Sequence, residues 1–280
     1  MKTRIAPTPS GFLHAGNGFN FLVTDGLARA LGMTLILRID DLDAERTRPE
    51  YVEDIFVSLD WLGIRVDEGP SGPRDLALSW SQGLRVDRYM GMVADLRSKG
   101  AVYACACSRT HMEELLQLGL DHPCRAERGG VPAQGVPWRL GLIAGDRVAM
   151  TVLGGASEVL EPAALMPDPV ILQRGGAVPA YQVASLCDDL EMGIGMIIRG
   201  ADLLPSTACQ LYIAQVLNED RFRAVRFHHH PLDRAADGSK LSKSAGAASL
   251  KAMRESGVSP GPLIARARLH VDTLLARIQP

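Results

Sequence analysis

The alternation of strand and helix patterns at the beginning of the chain constrains the fold most. Residues 3–6 are a short strand candidate, and the prolines and glycine of residues 7–11 exclude a helix there. Apolar residues then recur at helical spacing over residues 17–31, and residues 34–39 form a nearly continuous apolar run. Such a run is typical of a strand that is buried on both faces of a parallel sheet. This order predicts a doubly wound, Rossmann-like α/β fold.

The middle of the chain departs from this pattern. Thr47 with Glu50 three residues later fits a capping box for a helix that ends at Gly63, and a further helix is expected to end at Gly100. Residues 100–167 then show short apolar runs, glycines, prolines and three of the five cysteines. We interpret this segment as a small insert between two halves of one fold.

Alternation resumes after the insert. Residues 170–172 and 196–198 are expected to be strands, and residues 181–190 and 205–216 are expected to be helices. Ligands of such sheets bind at the carboxyl ends of the strands. The predicted division is a first half of the nucleotide-binding domain at 1–99, an insert at 100–167, a second half at 168–245 and a basic helical tail at 246–280.

Charge and cysteine content limit the possible partners and the compartment. With 30 Lys and Arg against 32 Asp and Glu the net charge is −2, so any nucleic acid must contact a local basic patch. Residues 239–280 supply one, with seven basic and two acidic side chains. An odd number of cysteines argues against a secreted disulfide framework. No apolar run approaches the roughly 20 residues that span a bilayer. We therefore expect a cytoplasmic protein without membrane contact, and a monomer.

A first candidate site lies in the turn between the first strand and the first helix. The segment Pro9-Ser10-Gly11-Phe12-Leu13-His14-Ala15-Gly16-Asn17 places an imidazole and glycines at the start of that helix. Backbone N–H groups at a helix N-terminus together with an imidazole suit the oxygens of a phosphate, and Gly16 permits close approach of a nucleotide. A purely structural alternative is a glycine turn with a capping histidine.

A second candidate site is a glycine-bearing loop much later in the chain. The segment Asp237-Gly238-Ser239-Lys240-Leu241-Ser242-Lys243-Ser244 carries two lysines three residues apart. Such a pair suits a pyrophosphate leaving group whose charge develops during in-line displacement. The alternative is an ordinary solvated surface loop.

Taken together, the two segments resemble the two signatures of class I aminoacyl-tRNA synthetases. Four further segments narrow the resemblance to the glutamyl-tRNA synthetase group: residues 4–11, residues 37–43 with Arg46, Tyr181-Gln182 with Asp188-Asp189, and residues 199–204 with Ser206, Thr207 and Gln210. The chain is most similar to the truncated glutamyl-queuosine tRNA(Asp) synthetase family. This resemblance rests on its short length, on the lack of a C-terminal anticodon-binding domain and on the motif Arg-Gly-Ala-Asp-Leu-Leu-x-Ser-Thr. The resemblance implies the fold of a class I synthetase catalytic domain.

The resemblance also implies an amino-acid site. Glutamate carries two carboxylates and an ammonium, so its pocket needs cations and at least one anion. By family position, Arg4 and Arg199 would hold the carboxylates, Ser10 would supply a hydroxyl contact, Asp40 would face the ammonium and Tyr181 would form a wall.

The activity implied is adenylation of glutamate by ATP with Mg²⁺, in which His14, Lys240 and Lys243 are the catalytic residues and no protein nucleophile is needed. The implied ATP-binding set is Pro7, Gly11, His14, Gly16, Asn17, Lys240, Leu241, Ser242 and Lys243. In the family, glutamate then passes to queuosine in the anticodon loop of tRNA(Asp). Three alternatives stay open: charging of the 3′ end of tRNA(Glu), a ligase acting without tRNA, and an inactive binding paralogue.

The cysteine cluster resembles the zinc site in the insert of this family. Cys105, Cys107 and Cys124 would be three ligands, but Leu120 occupies the position where the family usually has a tyrosine as the fourth. A structural zinc site needs four ligands. Either the zinc site is lost, or the fourth ligand comes from the remaining candidates: His122, Asp121, His111 or a water.

Two departures from the family pattern concern the amino-acid site. Asp40 stands where the family usually has the longer Glu, and Leu190 follows the aspartate pair where a histidine or aromatic residue is more usual. We expect both on the substrate side, which leaves the amino-acid specificity open. Cys187 and Cys209 are expected to pack in the core, and residues 228–230, three histidines in a strand, are expected to point to alternating faces.

Overall fold

A computed structural model describes residues 1–120, 122–127, 135–173, 178–232 and 249–278. The first part of the chain contains two strands and four helices: β1 (Lys2–Ile5), α1 (Ala15–Ala30), β2 (Thr34–Leu37), α2 (Pro49–Trp61), α3 (Pro73–Asp75) and α4 (Val86–Ser98). A π-helical turn (Leu76–Trp80) and a 3₁₀ turn (Gln82–Arg85) connect α3 to α4.

The middle and last parts contain the remaining elements. The middle part consists of β3 (Val102–Ala104), α5 (Arg109–Gln117), β4 (Trp138–Leu140), β5 (Val148–Val152), β6 (Ser157–Leu160) and α6 (Pro162–Leu165). The last part consists of β7 (Val170–Leu172), α7 (Tyr181–Glu191), β8 (Ile194–Gly200), α8 (Leu204–Leu217), α9 (Asp220–Arg223), β9 (Arg226–His230), α10 (Leu250–Glu255) and α11 (Gly261–Ile278).

The large sheet has the strand order β2-β1-β8-β9-β5-β6. The first five strands pair in parallel, and only β6 is antiparallel, as the second strand of a hairpin with β5. Strands β2 and β8 are mostly buried and apolar, as the run at 34–39 indicated, whereas β6 at the edge of the sheet is largely exposed. The predicted α/β architecture is confirmed, and the carboxyl ends of β1, β2, β8 and β9 lie at one edge.

The small antiparallel sheet, with the order β3-β4-β7, differs from the predicted insert. Strands β5 and β6 fall within the expected insert at 100–167 but extend the large sheet through the pairing of β5 with β9. Strand β7, expected in the second half of the nucleotide-binding domain, belongs to the small sheet instead. Long-range pairing therefore crosses the expected boundaries, and the division into four segments stays a prediction.

The start of α2 differs from the predicted capping box. Its cap residue Arg48 makes no side-chain cap hydrogen bond, and Pro49 occupies the first turn. The hydroxyl of Thr47 donates to the carbonyl oxygen of Asp43 at 2.9 Å and so faces away from the helix. Because proline lacks an N–H and has a helical φ angle already, this helix starts without the capping box.

Two apolar clusters pack against the large sheet. One contains Tyr89, Phe222 and Phe227 together with Cys187 and Cys209, whose predicted core packing is thereby confirmed. The other joins α1, β2 and α2 to the last helix, whose Ala267, Val271 and Leu274 are buried in it. The predicted helical tail is thus α10 and α11, and α11 packs on α1. No helix in the described ranges has the length and hydrophobicity to cross a membrane.

Candidate functional site

The N-terminus of α1 is built around His14. Its Nδ1 accepts hydrogen bonds from the backbone N–H groups of Gly16 at 3.1 Å and Asn17 at 3.4 Å. In return the side-chain oxygen of Asn17 accepts from the backbone N–H of His14 at 3.0 Å, which completes a reciprocal cap. The histidine therefore does cap the helix, as the structural alternative held.

The cap sets the orientation of the imidazole. A neutral ring that accepts at Nδ1 carries its proton on Nε2 and can donate there. A Cβ atom at Gly16 would lie 3.0 Å from Cε1 of His14, so glycine at this position leaves room for the ring. The arrangement presents a donor beside the positive end of a helix, which is suited to a phosphate oxygen.

The remaining members of the predicted ATP site are only partly described. Pro7 is buried, and its carbonyl oxygen accepts from the backbone N–H of Asp40 at 2.9 Å, while Gly11 lies in the bend before α1. This bond joins the segments that directly follow β1 and β2. The other four members lie outside the described residues: Lys240, Leu241, Ser242 and Lys243.

A cleft of about 470 Å³ opens beside this edge of the sheet. Three of the five predicted glutamate-binding residues line it, namely Ser10, Asp40 and Tyr181. Gln82, Leu42 and Gln182 are among the other lining residues, and sequence reasoning had not assigned them to the site. Leu190 is not among the residues that line the cleft and packs against the apolar cluster that contains Phe227; its expected place on the substrate side stays a prediction.

Arg38 organises the wall behind the cleft. It is fully buried, and its Nε donates to Asp40 at 2.7 Å and its Nη1 to Asp189 at 2.7 Å. Its Nη2 donates to the hydroxyl of Ser185 at 2.9 Å. Burial raises the pKa of Asp40, although the charge of Arg38 acts against the rise. Sequence reasoning missed this role, for which a charged residue within the apolar run at 34–39 was the available signal.

The same network extends to Arg4 and Asp188. Nε of Arg4 donates to Asp189 at 3.0 Å, so one carboxylate holds both Arg4 and Arg38. Asp188 accepts from Arg85 at 2.8 Å and from the hydroxyl of Tyr89 at 2.7 Å. Burial would raise the pKa of Asp188, but hydrogen bonding to Arg85 and the charge of Arg38 lower it overall. The aspartate pair thus anchors the arginines of the site.

Arg199 is the last residue but one of β8. It forms no ion pair with a carboxylate in the part of the chain that the structure describes. Its side chain is buried, and its Nη1 donates to the amide oxygen of Gln210 at 3.0 Å. Its Nε and Nη2 have no hydrogen-bond partner among the described residues. Burial lowers the pKa of Arg199, and the charge of Arg4 acts in the same direction. A buried guanidinium with unused donors is complementary to a carboxylate.

A compact cluster of sulfur and nitrogen atoms lies in the region of the small sheet. The candidate ligand atoms of Cys105, Cys107, His122 and Cys124 all lie within 4.8 Å of one another. All the cysteines are free thiols. Three thiols and one imidazole at this separation match a tetrahedral zinc site. Of the candidates for a fourth ligand, His122 is the one that lies in this cluster. The exposed His111 lies 3.9 Å from Glu114 instead, and Asp121 is outside the described residues.

The surroundings of the cluster support a metal ion. Nδ1 of His122 lies 3.4 Å from the hydroxyl of Tyr103, while its Nε2 lies 3.6 Å from Sγ of Cys105. Nη2 of Arg139 donates to the carbonyl oxygen of Cys107 at 2.8 Å, which fixes that turn. Such outer contacts orient metal ligands. Burial, followed by the neighbouring thiols, raises the pKa of Cys124 to about 11. The cysteines of the cluster would therefore need a bound cation to be thiolates at neutral pH.

The three histidines of β9 point to alternating faces, as predicted. Nε2 of His228 lies 3.0 Å from Nε2 of His270 on α11, and Nε2 of His230 lies 3.1 Å from the amide oxygen of Asn20 on α1. His229 faces the other way and contacts the hydroxyl of Thr207 on α8 at 2.8 Å. In the described residues they pack between elements and form no metal cluster.

Curated relatives of this chain include ligases for glutamate. Glutamate–tRNA ligase 1 of Cereibacter sphaeroides is 36% identical over 283 residues, covering 94% of this chain and 59% of that protein. Glutamyl-Q tRNA(Asp) synthetase of Nitratidesulfovibrio vulgaris is 33% identical over 280 residues, covering 92% of this chain and 82% of that protein. The chain thus spans about three fifths of the length of the glutamate–tRNA ligase and most of the length of the second relative.

Solved structures and a family match agree with the fold. A glutamate tRNA ligase from Elizabethkingia meningosepticum in complex with its amino acid superposes with a TM-score of 0.75 at 23% identity, over 96% of this chain and 60% of that one. The family described as tRNA synthetases class I (E and Q), catalytic domain, matches residues 1–127 and 157–273. Because that match extends over most of the sequence, the chain belongs to the family of class I tRNA synthetase catalytic domains of the E and Q type.

Proposed function

We propose that this protein activates L-glutamate with ATP and Mg²⁺ as glutamyl-adenylate and transfers the glutamyl group to queuosine in the anticodon loop of tRNA(Asp). The observation that carries the amino-acid part is Arg199, a buried guanidinium whose Nε and Nη2 atoms donate to no described residue. A buried cation of this kind costs free energy unless an anion joins it. A dicarboxylate amino acid supplies that anion.

The charges of the site residues indicate which part of glutamate each residue would bind. Arg4 and Arg199 bind the two carboxylates of glutamate, and Asp40 in the cleft wall accepts from its ammonium group. Ser10 adds a hydroxyl and Tyr181 covers one side. The chain needs no nucleophile, because the α-carboxylate itself attacks the α-phosphorus of ATP, with release of pyrophosphate. Catalysis then consists of positioning and charge stabilisation.

The proposed ATP site uses the start of α1. The donor at Nε2 of His14 and the backbone N–H groups near Gly16 and Asn17 bind phosphate oxygens. Lys240 and Lys243, with Leu241 and Ser242 between them, neutralise the developing pyrophosphate, and Pro7 and Gly11 shape the turn. Magnesium, when bound, would neutralise further charge on the phosphates.

We further propose zinc at the Cys105, Cys107, His122 and Cys124 cluster. The donor set closes four positions with protein atoms, which is typical of a structural zinc site. Zinc there would tie residues at both ends of the 105–124 segment to the small sheet. It takes no part in the chemistry of adenylation.

The proposed acceptor rests on sequence similarity. The relative named glutamyl-Q tRNA(Asp) synthetase is 33% identical to this chain over 280 residues. The Arg-Gly-Ala-Asp-Leu-Leu-x-Ser-Thr segment at residues 199–207 supports the same acceptor. Charging of a tRNA 3′ end is the second candidate, which the identity to glutamate–tRNA ligases favours.

Pyrophosphate exchange tests the activation step. Purified protein is incubated with ATP, labelled pyrophosphate and either glutamate, aspartate or glutamine, and we expect exchange with glutamate. Arg199→Gln should lower exchange at sub-saturating glutamate by about 100-fold or more, since a buried charge pair with the substrate is lost. The control is Arg223→Gln, which removes a surface ion pair with Asp220. Absence of exchange with all three amino acids, with or without tRNA, would contradict the proposal.

Transfer of labelled glutamate tests the acceptor. We expect label on tRNA(Asp) that carries queuosine and none on the same tRNA without it. A 3′-deoxy terminal ribose, which has no cis-diol, should leave transfer unchanged. Periodate treatment of that tRNA then cleaves the cis-diol of queuosine alone and should abolish transfer. Label on tRNA(Glu) that a 3′-deoxy end abolishes would favour the second candidate.

A further inference from the structure

The buried arginines of the site differ in one respect. Arg4 and Arg38 each donate to a carboxylate of the network, at 3.0 Å and 2.7 Å to Asp189. Arg199, with 3% of its surface exposed, lies near enough to Arg4 and Arg38 for their charges to act on it, but its one hydrogen-bond acceptor among the described residues is a neutral amide. The ring of Phe227 lies 5.7 Å from its Cζ. Within the described residues, Arg199 therefore has no carboxylate in direct contact of the kind that its neighbours have, and the charge of Asp189 acts on it without a hydrogen bond.

The neutral amide belongs to Gln210, on the second turn of α8. This side chain is 0% exposed, and its Oε1 accepts from Nη1 of Arg199 at 3.0 Å. Its Nε2 has no partner among the described residues. The reverse orientation of the amide would set an NH₂ group against the N–H groups of the guanidinium, so the observed orientation is the one that satisfies Arg199. Gln210 thus occupies one donor of Arg199 and adds no charge.

Glutamine at this position is the uncharged isostere of glutamate. A glutamate side chain of the same length would reach Nη1 with a carboxylate and neutralise Arg199 from within the protein. With glutamine, no described residue forms an ion pair with Arg199, and its Nε and Nη2 atoms, which have no partner among the described residues, are suited to an external acceptor.

We propose that Gln210 is a positioning residue that orients Arg199 through Nη1 and keeps its charge available for a carboxylate of the substrate. The inference rests on the proposed binding of glutamate and deepens it by assigning a source of the selectivity for an anionic amino acid. A site that contains an unpaired buried cation discriminates steeply against a ligand without the matching anion. Gln210 acts only through Arg199 and contacts no reacting atom.

Gln210→Glu tests the proposal because it should preserve or increase the stability of the fold and at the same time weaken the binding of glutamate. The new carboxylate pairs with Arg199, so the thermal midpoint of unfolding should equal or exceed that of the wild type. The same carboxylate competes with the substrate, so the KM for glutamate in pyrophosphate exchange should rise about 10- to 100-fold, with the KM for ATP unchanged. A merely structural role of Gln210 would not raise the KM of one substrate alone.

A matched control lies on the same helix. Gln215→Glu adds the same charge to α8 one and a half turns away from Gln210, where the side chain is half-buried, and it should leave both KM values within about twofold of the wild type. Gln210→Met removes the acceptor without adding charge. We expect it to raise the KM for glutamate several-fold, less than Gln210→Glu, because Arg199 loses its orientation and keeps its charge.

The outcomes separate this inference from the proposed function. Wild-type exchange with glutamate together with an unchanged glutamate KM in Gln210→Glu would overturn the inference and leave the function intact. If Gln210→Glu does not fold, a glutamate KM within twofold of the wild type in Gln210→Met overturns it instead. Absence of glutamate-dependent exchange in the wild type would overturn both.

Discussion

At the scale of single residues, the fourth ligand of the proposed zinc site, His122, lies two positions after the residue that the family usually uses. Leu120, at the family's usual ligand position, is 57% exposed and lies outside the cluster. His122 is two residues further along, is 3% exposed and brings its Nε2 to 3.6 Å from Sγ of Cys105. The 3₁₀ turn at Pro123–Glu127 follows His122 directly and carries Cys124 back to the other thiols. Two neighbouring ligands then come from one turn.

Metal content tests the displaced ligand. We expect about one zinc per chain in protein purified without chelators, and a large loss of zinc in His122→Ala, since a structural site needs all four ligands. Inductively coupled plasma mass spectrometry measures the ratio. Cys187→Ser is the matched control, because Cys187 is a buried thiol in the main core and away from the cluster. Equal zinc in His122→Ala and the wild type would exclude His122 as a ligand.

Individual residues also show how far the sequence could predict the site. Ser10, Asp40 and Tyr181 were named from motifs, and they do line one cleft. The roles of Arg38 and Gln210 could not be predicted, because each depends on the position of other elements. Arg38 reaches Asp189 across 151 residues of sequence, and no spacing rule connects two positions so far apart. The only local signal was the charge of Arg38 within the apolar run at 34–39.

At the scale of elements, the N-terminus of α1 is suited to both roles that the sequence offers as alternatives for His14, namely helix capping and phosphate binding. The reciprocal cap between His14 and Asn17 is a stabilising contact of a kind that contributes about 1 kcal/mol. With Nδ1 used as an acceptor by the cap, a neutral ring carries its proton on Nε2, from which the proposed phosphates would accept. A capping histidine is therefore compatible with a catalytic one, and only variants can separate the two roles.

His14→Asn and His14→Ala separate them. Asparagine is a strong capping residue, so His14→Asn should keep the free energy of unfolding within about 0.5 kcal/mol of the wild type, whereas His14→Ala should lose about 1 kcal/mol. Both variants lack the imidazole, and both should lower kcat for pyrophosphate exchange by about 100-fold. Urea denaturation and exchange kinetics measure the two effects. Normal kcat in His14→Asn would show that His14 is a cap alone.

The beginnings of helices were less predictable than their existence. The pattern at Thr47 and Glu50 fits a capping box, but Pro49 starts α2 and the Thr47 hydroxyl turns back to Asp43. Local signals compete in such a segment, because proline and a capping residue both favour a helix start one or two positions apart. The pairing of β5 with β9 could not be predicted either, since it depends on where the chain returns after the small sheet.

At the scale of the whole molecule, the last helix closes the structure onto its first part. Helix α11 packs on α1, and Val271 contacts the position of Gly26, where a Cβ atom would lie 2.9 Å from its Cγ2. Near this contact, His228 of β9 faces His270 of α11 at 3.0 Å, and Phe19 of α1 packs edge-on against His270. The end of the chain is thus joined to the sheet through histidines as well as apolar side chains.

These histidines make the stability of the whole fold depend on pH. Burial, followed by the positive charges of His270, His230 and Arg277, lowers the pKa of His228 to about 4 from its ordinary value of 6.5. Between these two pH values the unfolded chain binds more protons at this site than the folded one, so the free energy of unfolding rises with pH across that window. The contribution of His228 is complete above pH 6.5 and decreases as the pH falls towards 4.

Urea denaturation at pH 7 and pH 5 tests this coupling. We expect the wild type to lose stability on acidification and His228→Gln to lose less, because glutamine does not titrate. Buried carboxyl groups such as Asp40, whose pKa is raised, contribute with the opposite sign, but they are present in both proteins and cancel in the difference. His111→Gln, at an exposed histidine on α5, is the control and should behave as the wild type. An equal loss in His228→Gln and the wild type would mean that the junction between α11 and β9 does not respond to protonation of this histidine.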